Sequence, residues 1–255
     1  MKSKVKLQIK QSTKFLLLFV AANFLAAPSC AQDKSAFSNN QREELKVLVR
    51  EYILENPEII SEAIMALQVR EERAKSEKQA QALTVHKTAL LNPTEGTIIG
   101  NPDGDITVVE FFDYNCGYCK SMVPAIQEIL EADKNLRMVM KEFPILGQGS
   151  LIAARAALAS HEQGKYEELH MALLSHKGPL NQQSVIKIAN SIGIDVSKLV
   201  EDMKNPKIND VLAKNMALAQ DLGIEGTPAL VIGDTLVPGA IGKNRLLELI
   251  ADARK

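Results

Sequence analysis

Two cysteines, Cys116 and Cys119, enclose Gly117 and Tyr118 at a point where a strand pattern gives way to a helical one. The apolar run at 108–112 comes just before them. Unpaired amides at a helix N-terminus favour negative charge, so Cys116, the more exposed thiol, should ionise more readily than an ordinary cysteine. Cys119 lies one turn further on the same face, within reach of a mixed disulfide. The spacing predicts a dithiol that exchanges disulfides.

The first 31 residues have the pattern of a secretory signal peptide. Lysines precede an apolar run at 15–27 that is too short to span a bilayer well, and Ser29-Cys30-Ala31 fits the small-x-small cleavage rule. We therefore predict an exported protein, cleaved near Ala31. A second interpretation stays open, because a cysteine at this place can be the lipid-modified first residue of a lipoprotein. Pro28 and the lack of a nearby leucine make Cys30 a poorer fit to that class.

Net charge and cysteine content argue against nucleic-acid binding and against a role for the cysteines as structural disulfides. Removing residues 1–31 takes away five lysines and no acids, so the formal charge moves from −1 to −6. An acidic exported protein has no reason to bind nucleic acid. After export only Cys116 and Cys119 remain, which is not the spread-out pattern of stapling disulfides. The four histidines are scattered, so we expect no zinc site and no cofactor beyond the redox-active disulfide Cys116–Cys119.

A helical leader precedes the dithiol. Residues 41–91 have a helical pattern, broken at Asn56-Pro57, and residues 70–78 are almost wholly polar. Two short amphipathic helices cannot bury their apolar faces alone, so we expect residues 41–69 to form a homodimer or homotrimer. Folding of the same faces back onto the catalytic domain is the alternative.

The elements that must position the dithiol form two halves around a helical block. Asn92-Pro93 ends the leader, and turn residues extend to Gly104. A strand–helix–strand unit follows, whose crossover makes a parallel pair, and a hairpin and a closing helix end the chain. The predicted ranges are 106–114, 117–133 and 135–144 for the first half, about 148–223 for the helical block, and 227–233, 235–237 and 243–253 for the second half.

These features resemble a known fold. The strand, the Cys-x-x-Cys helix containing Pro124 and the later Gly226-Thr227-Pro228 resemble the thioredoxin fold, and the helical block resembles the DsbA group of exported thiol-disulfide oxidoreductases. The resemblance covers about residues 97–255, and the leader is similar to that of ScsC-type members. The expected fold is α/β, a thioredoxin fold with an all-helical insertion after an N-terminal helical oligomerisation segment. The expected domains are 1–31 (signal peptide), 32–91 (leader) and 92–255 (catalytic).

The resemblance also assigns roles to single residues. Glu110 matches the family's buried acid, which helps to move the proton of the second cysteine; a carboxylate in a central strand is costly without a task or a partner, and a purely structural role is the alternative. Base rates favour a trans bond before Pro228, whereas the family implies cis, facing Cys116. Thr227 would then pair with an extended substrate. Lys141 is a further candidate for this site, although a plain surface lysine is the favoured interpretation.

The residues between the cysteines bear on redox character. Gly117-Tyr118 offers no cation to stabilise a thiolate, which predicts a mild oxidant, and we count both among the substrate contacts. Together with Thr227 before the proline, they resemble the disulfide isomerase DsbC. We therefore expect a periplasmic disulfide isomerase with some oxidase activity. It would act on misfolded exported clients and be reduced or reoxidised by a membrane partner. A plain oxidase and a copper(I)-binding or client-binding chaperone are the alternatives.

Overall fold

The structure, a computed structural model, describes residues 37–93 and 97–255. The predicted signal peptide and the lipoprotein alternative at Cys30 lie outside these residues. The chain divides into two compact units, Met1–Glu62 and Ala63–Lys255.

The leader begins with a well-capped helix. Helix α1 spans Asn39–Glu55, and the Ser38 hydroxyl accepts a hydrogen bond from the Gln41 amide while the Gln41 side chain accepts one from the Ser38 amide. The helix ends at Asn56, and α2 runs over Glu58–Val85. The predicted break at Asn56-Pro57 is therefore confirmed. Because α1 contains no buried residue, packing among residues 37–93 and 97–255 does not explain its apolar side chains.

The end of the leader belongs to the core of the second unit. Leu83 near the end of α2 and Leu90 in α3 (Lys87–Leu91) are buried in one cluster with Leu222. Core residues thus occur before the predicted domain start at residue 92. The sequence does not reveal these core residues, because residues 70–78 are almost wholly polar. The apolar residues that follow form too short a pattern to be assigned either to the leader or to the catalytic domain.

A five-stranded sheet carries the catalytic half of the chain, in the order β1-β3-β2-β4-β5. Strands β2 and β3 are parallel, as predicted, and the other neighbours are antiparallel. Every residue of β2 except Thr107 is buried, as expected of a central strand. The strands are β1 (Ile98–Gly100), β2 (Ile106–Phe112), β3 (Leu136–Glu142), β4 (Ala229–Ile232) and β5 (Thr235–Pro238).

Strand β1 corrects the sequence analysis, which found only the turn residues Gly96, Gly100 and 101–104 in this part of the chain and predicted no strand there. Its three residues pair antiparallel with β3. Gly100 has φ of +76°, and an added Cβ would lie 2.8 Å from the Leu136 carbonyl oxygen. The glycine is therefore needed for a close strand approach as well as for a turn. Such a short strand has no periodicity to detect.

Helices cover both faces of the sheet and form the predicted insertion. Helix α4 (Gly117–Ala132) connects β2 to β3 and contains Pro124, and α10 (Lys243–Ala253) closes the chain. Five helices and a 3₁₀ turn at His161–Gln163 lie between β3 and β4. They are α5 (Gln148–Ser160), α6 (Tyr166–Ser175), α7 (Gln182–Ser191), α8 (Val196–Asp202) and α9 (Pro206–Asp221). No helix within residues 37–93 and 97–255 is long and apolar enough to cross a bilayer.

Candidate active site

Cys116 occupies the N-cap of α4, as the sequence predicts. Its backbone is extended, its carbonyl accepts the Lys120 amide at 3.1 Å, and its own amide donates to the Asp113 carbonyl at 3.0 Å. No side chain caps the first turn of α4. The amides of Gly117 and Tyr118 therefore remain available to a negative charge on the Cys116 sulfur.

The two thiols lie in different environments. Cys116 is 6 % exposed and Cys119 is 1 % exposed, both are free, and they contact each other. Burial, together with the charges of Glu110 and Cys116, raises the pKa of Cys119 well above its ordinary value. Cys119 is thus held as a protonated thiol, while Cys116 is nearly as buried but lies two residues before the exposed Tyr118.

Glu110 lies inside the protein, on the strand that leads to the dithiol. It pairs with Met140 on β3 and Leu230 on β4, and it is 1 % exposed. Burial raises its pKa to about 8, and its Oε2 has no hydrogen-bond partner among the described residues. A negative charge on Glu110 raises the pKa of Cys119, so the two groups do not readily lose their protons together. At least one of them therefore keeps a proton.

The Thr227-Pro228 segment lies against the reactive sulfur. The peptide bond is cis, as the family resemblance implies, and the Cys116 thiol donates to the Thr227 carbonyl at 3.2 Å. The Gly239 amide donates to the Pro228 carbonyl at 2.8 Å, which joins this segment to the end of β5. Within residues 37–93 and 97–255 the Thr227 amide has no acceptor. A free amide next to the sulfur is what an extended peptide would require.

Asp113, which the sequence analysis did not identify, holds the loop between β2 and Cys116. Its buried carboxylate accepts from the Asn115 amide at 2.7 Å, the Ser150 hydroxyl at 2.7 Å and the Leu146 amide at 2.9 Å. Its backbone also contacts the Cys119 thiol and opposes the rise of that pKa. These contacts join elements distant in sequence, and only the polar Asp-x-Asn spacing before Cys116 hints at them.

The helical insertion is also fastened to this loop. The Asn115 side chain donates to the Ser150 hydroxyl at 3.1 Å and accepts from the Leu180 amide at 2.9 Å. Gly149 makes this close approach possible, because an added Cβ would lie 2.0 Å from the Leu180 carbonyl oxygen. The Lys120 ammonium donates to the His176 carbonyl at 2.7 Å. The insertion therefore fixes the position of the dithiol.

A second buried polar cluster lies behind the dithiol loop. One oxygen of Glu142 accepts from the hydroxyls of Tyr114 at 2.9 Å and Tyr166 at 3.1 Å, and the Tyr114 hydroxyl lies 3.0 Å from His170 Nδ1. Burial raises the pKa of Glu142 and lowers the pKa of His170 to about 3. His170 is therefore neutral at physiological pH, and the cluster links the loop after β2 to β3 and α6.

Lys141 corrects two expectations. It is 5 % exposed, not a surface lysine, and its ammonium donates to the Ala89 carbonyl at 2.8 Å. Burial lowers its pKa to about 8. In the β2–β3 register it pairs with Phe111, so it lies on the opposite face of the sheet from Glu110 and does not line the dithiol site. Its side chain instead holds the end of the leader.

No cluster of three or more histidine, cysteine, aspartate or glutamate side chains in 37–93 and 97–255 is arranged to hold a metal ion. The chemistry available here is that of two thiols and one buried carboxyl group. One thiol can attack an external disulfide, the second can resolve the product, and Glu110 can exchange a proton with the second.

Comparison with solved structures gives several relatives. A thioredoxin-like oxidoreductase from Silicibacter pomeroyi is 47 % identical, over 66 % of this chain and 96 % of that one, with a TM-score of 0.64. Proteus mirabilis ScsC is 33 % identical over 86 % of this chain and 97 % of that one, with a TM-score of 0.63. The thiol-disulfide exchange protein alpha-DsbA2 of Wolbachia pipientis is 32 % identical over 70 % of this chain and 97 % of that one, with a TM-score of 0.66.

Curated relatives match over a smaller part of their length. The Na⁺/H⁺ antiporter NhaA 1 of Salinispora arenicola is 28 % identical over 144 residues, which is 56 % of this chain and 22 % of that protein. The chain thus spans about a fifth of these relatives.

Two family profiles match separate parts of the chain. The "Copper resistance protein ScsC N-terminal domain" matches residues 41–74, and the "DSBA-like thioredoxin domain" matches residues 107–251, which include the dithiol, Glu110 and the Thr227-Pro228 segment. The chain belongs to the family of DsbA-like thioredoxin-domain proteins and carries an ScsC-like N-terminal segment.

Proposed function

We propose that this protein is exported and rearranges the disulfides of other exported proteins, with isomerase activity as its main role and oxidase activity in addition. The observation that carries the proposal is the asymmetry of the dithiol, with Cys116 at a helix N-terminus and Cys119 buried beside Glu110. A Salmonella relative, 28 % identical, is described as a periplasmic thioredoxin-like protein, which supports the same location.

Isomerisation begins from the reduced dithiol. The Cys116 thiolate attacks a client disulfide, forms a mixed disulfide and releases one client thiolate. That thiolate attacks another client disulfide, and the thiolate freed there finally displaces Cys116, so no electrons are transferred overall. If the client stalls, Cys119 gives its proton to Glu110 and attacks the Cys116 sulfur. This attack releases the client thiolate and forms the Cys116–Cys119 disulfide, so the client has been reduced by two electrons.

Oxidation runs through the same mixed disulfide in the opposite direction. A client thiolate attacks Cys116 in the Cys116–Cys119 disulfide, and Cys119 leaves as a thiolate that takes a proton from Glu110. A second client thiolate then displaces Cys116, which leaves the client with a new disulfide and the protein reduced. A membrane partner that reduces or reoxidises the dithiol would close either cycle.

We further propose that the leader assembles the protein into a homodimer or homotrimer. Apolar side chains of residues 41–69 remain exposed, among them Leu48 at 62 % and Leu67 at 55 %, which supports association with another copy. Several dithiols in one assembly would keep a misfolded client bound while its disulfides are rearranged repeatedly.

The test uses ribonuclease in two forms. An isomerase restores activity to scrambled ribonuclease, whereas an oxidase restores activity to reduced ribonuclease. We expect the reduced protein to act on the scrambled form, and the Cys116→Ser variant to fail in both assays. Recovery only from reduced ribonuclease would overturn the isomerase role, and recovery from neither would overturn the proposed function.

A copper(I)-binding role is the second candidate. Two adjacent thiols suit this ion, and the leader matches the N-terminal domain of a protein described as a copper resistance protein. Copper(I) binding measured against a competing chelator tests it: tight binding that disappears in Cys119→Ala, without ribonuclease activity, would favour this role over disulfide exchange.

A further inference from the structure

A groove of about 320 Å³ lies between the Thr227-Pro228 segment and the leader helix α2. Thr227 and Pro228 line one part of it, and Lys75 and Gln79 of α2 line another. The bond between the Cys116 thiol and the Thr227 carbonyl, at 3.2 Å, joins this groove to the dithiol. A helix outside the thioredoxin fold thus forms part of the surface beside the active site.

The position of α2 beside the groove is fixed by contacts on its own turns. Gln79 donates to the Leu222 carbonyl at 3.4 Å, and Leu83, one turn later, is buried in the core. The groove lining is partly apolar, with Ile224 and Leu236 among its residues. It therefore combines a surface for apolar side chains with the polar ends of two α2 side chains.

Two opposite charges line the groove. Lys75 projects from α2, and Glu225 follows Ile224 in the segment before β4. On the same helix Arg73 pairs with Glu77 at 2.9 Å, whereas Lys75 takes part in none of the ion pairs within 37–93 and 97–255. The Lys75 ammonium is therefore available to a carboxylate from another molecule, and Glu225 opposes a segment that carries many negative charges.

We propose that this groove receives the extended segment of a client next to its reactive cysteine, and that Lys75 selects a segment with a single acidic side chain. The inference rests on the proposed disulfide exchange at Cys116. Continuity of the groove with Thr227, whose amide has no acceptor among the described residues, favours an extended chain. The free charge on Lys75 supplies the selection.

The experiment uses peptides in mixed disulfide with glutathione that differ by one Glu or one Lys at successive positions beside the cysteine. The reduced full-length protein should release the best Glu peptide about two- to fivefold faster than its Lys counterpart at low salt, the range of an exposed ion pair. The preference should shrink at high salt. Lys75→Glu should reverse the ratio.

Lys78→Glu is the matched control, because it makes the same charge change on the same helix outside the groove lining. It should keep the ratio of the unmodified protein. A ratio in Lys75→Glu equal to that of Lys78→Glu would overturn the selection by Lys75 while leaving disulfide exchange intact. Failure of the unmodified protein to reduce any of the peptides, or oxidised glutathione, would instead overturn the proposed function and the inference with it.

Discussion

The leader helices expose apolar side chains that are usually buried, whereas the catalytic domain buries ionisable side chains that are usually exposed. In the leader, α1 has no buried residue and Leu48 is 62 % exposed. In the catalytic domain Glu110, Glu142 and His170 are each 1 % exposed. Exposed apolar groups and buried ionisable ones both cost free energy in an isolated chain. The exposed apolar side chains of the leader support the proposal that it associates with another copy, and the buried Glu110 supports the proposed proton transfer at the dithiol.

The largest expected effect lies at the cysteines, where the catalytic domain should depend on the two thiols differently. Cys116→Ser should abolish disulfide exchange, because the attacking sulfur is lost. Cys119→Ala should retain attack but accumulate mixed disulfides, because the resolving thiol is absent. Non-reducing gels with a scrambled client distinguish the two. Accumulation in the Cys116 variant would show that the roles are reversed.

The buried carboxyl group should make the stability of the catalytic domain fall with pH. Glu110 has a pKa of 4.5 when unfolded and about 8 when folded, so the folded state binds more protons between these values. Stability is therefore retained below about pH 4.5 and lost as pH rises to about 8, by at most about 5 kcal/mol. Urea unfolding across this range measures the loss.

Glu110→Gln should remove this part of the pH dependence, since its amide does not ionise. Glu131→Gln, at an exposed position of α4, is the matched control and should retain it. Equal slopes for Glu110→Gln and the unmodified protein would contradict a buried neutral carboxyl group.

Two leucines test the contrast between the leader and the core directly. Leu83→Ala should lower the free energy of unfolding by about 2–5 kcal/mol, because it opens a cavity in the core of the catalytic unit. Leu48→Ala should leave the unfolding of that unit nearly unchanged and weaken self-association. Chemical denaturation and native mass spectrometry measure the two effects. An unchanged assembly in Leu48→Ala and in Leu48→Glu would contradict the role of this face.

The smallest expected effect is at the contact between the dithiol loop and the helical insertion. Asn115→Ala removes the bonds to Ser150 and Leu180, which should cost about 1–3 kcal/mol. Hydrogen exchange should rise at residues 178–181, while Asn190→Ala, on the exposed surface of α7, serves as the control. Unaltered exchange at the Leu180 amide would show that the contact does not hold the insertion.

Local patterns were enough to predict most of the architecture. The apolar run before Cys116, the proline and glycine breaks and the closing helix at 243–253 each lie within a short stretch of sequence, and the structure contains the corresponding elements. Strand β1 was missed because three residues cannot show a period and because Gly100 resembles a turn residue. Its pairing depends on β3, which follows it by more than 30 residues.

The supporting side chains could not be predicted for a similar reason. Asp113 meets Ser150, and Glu142 meets Tyr114 and Tyr166, only after the insertion has packed against the sheet. Lysine side chains are usually exposed, which predicts a surface position for Lys141, whereas its ammonium donates to the Ala89 carbonyl from within the sheet. Such contacts depend on tertiary structure, not on residue type or spacing.

The difference between the two thiols is the central claim, and alkylation of the reduced protein tests it most directly. Iodoacetamide at neutral pH, followed by peptide mass spectrometry, should modify Cys116 rapidly and leave Cys119 unmodified until the protein is unfolded. Equal labelling of both cysteines in the folded protein, or faster labelling of Cys119, would contradict the account.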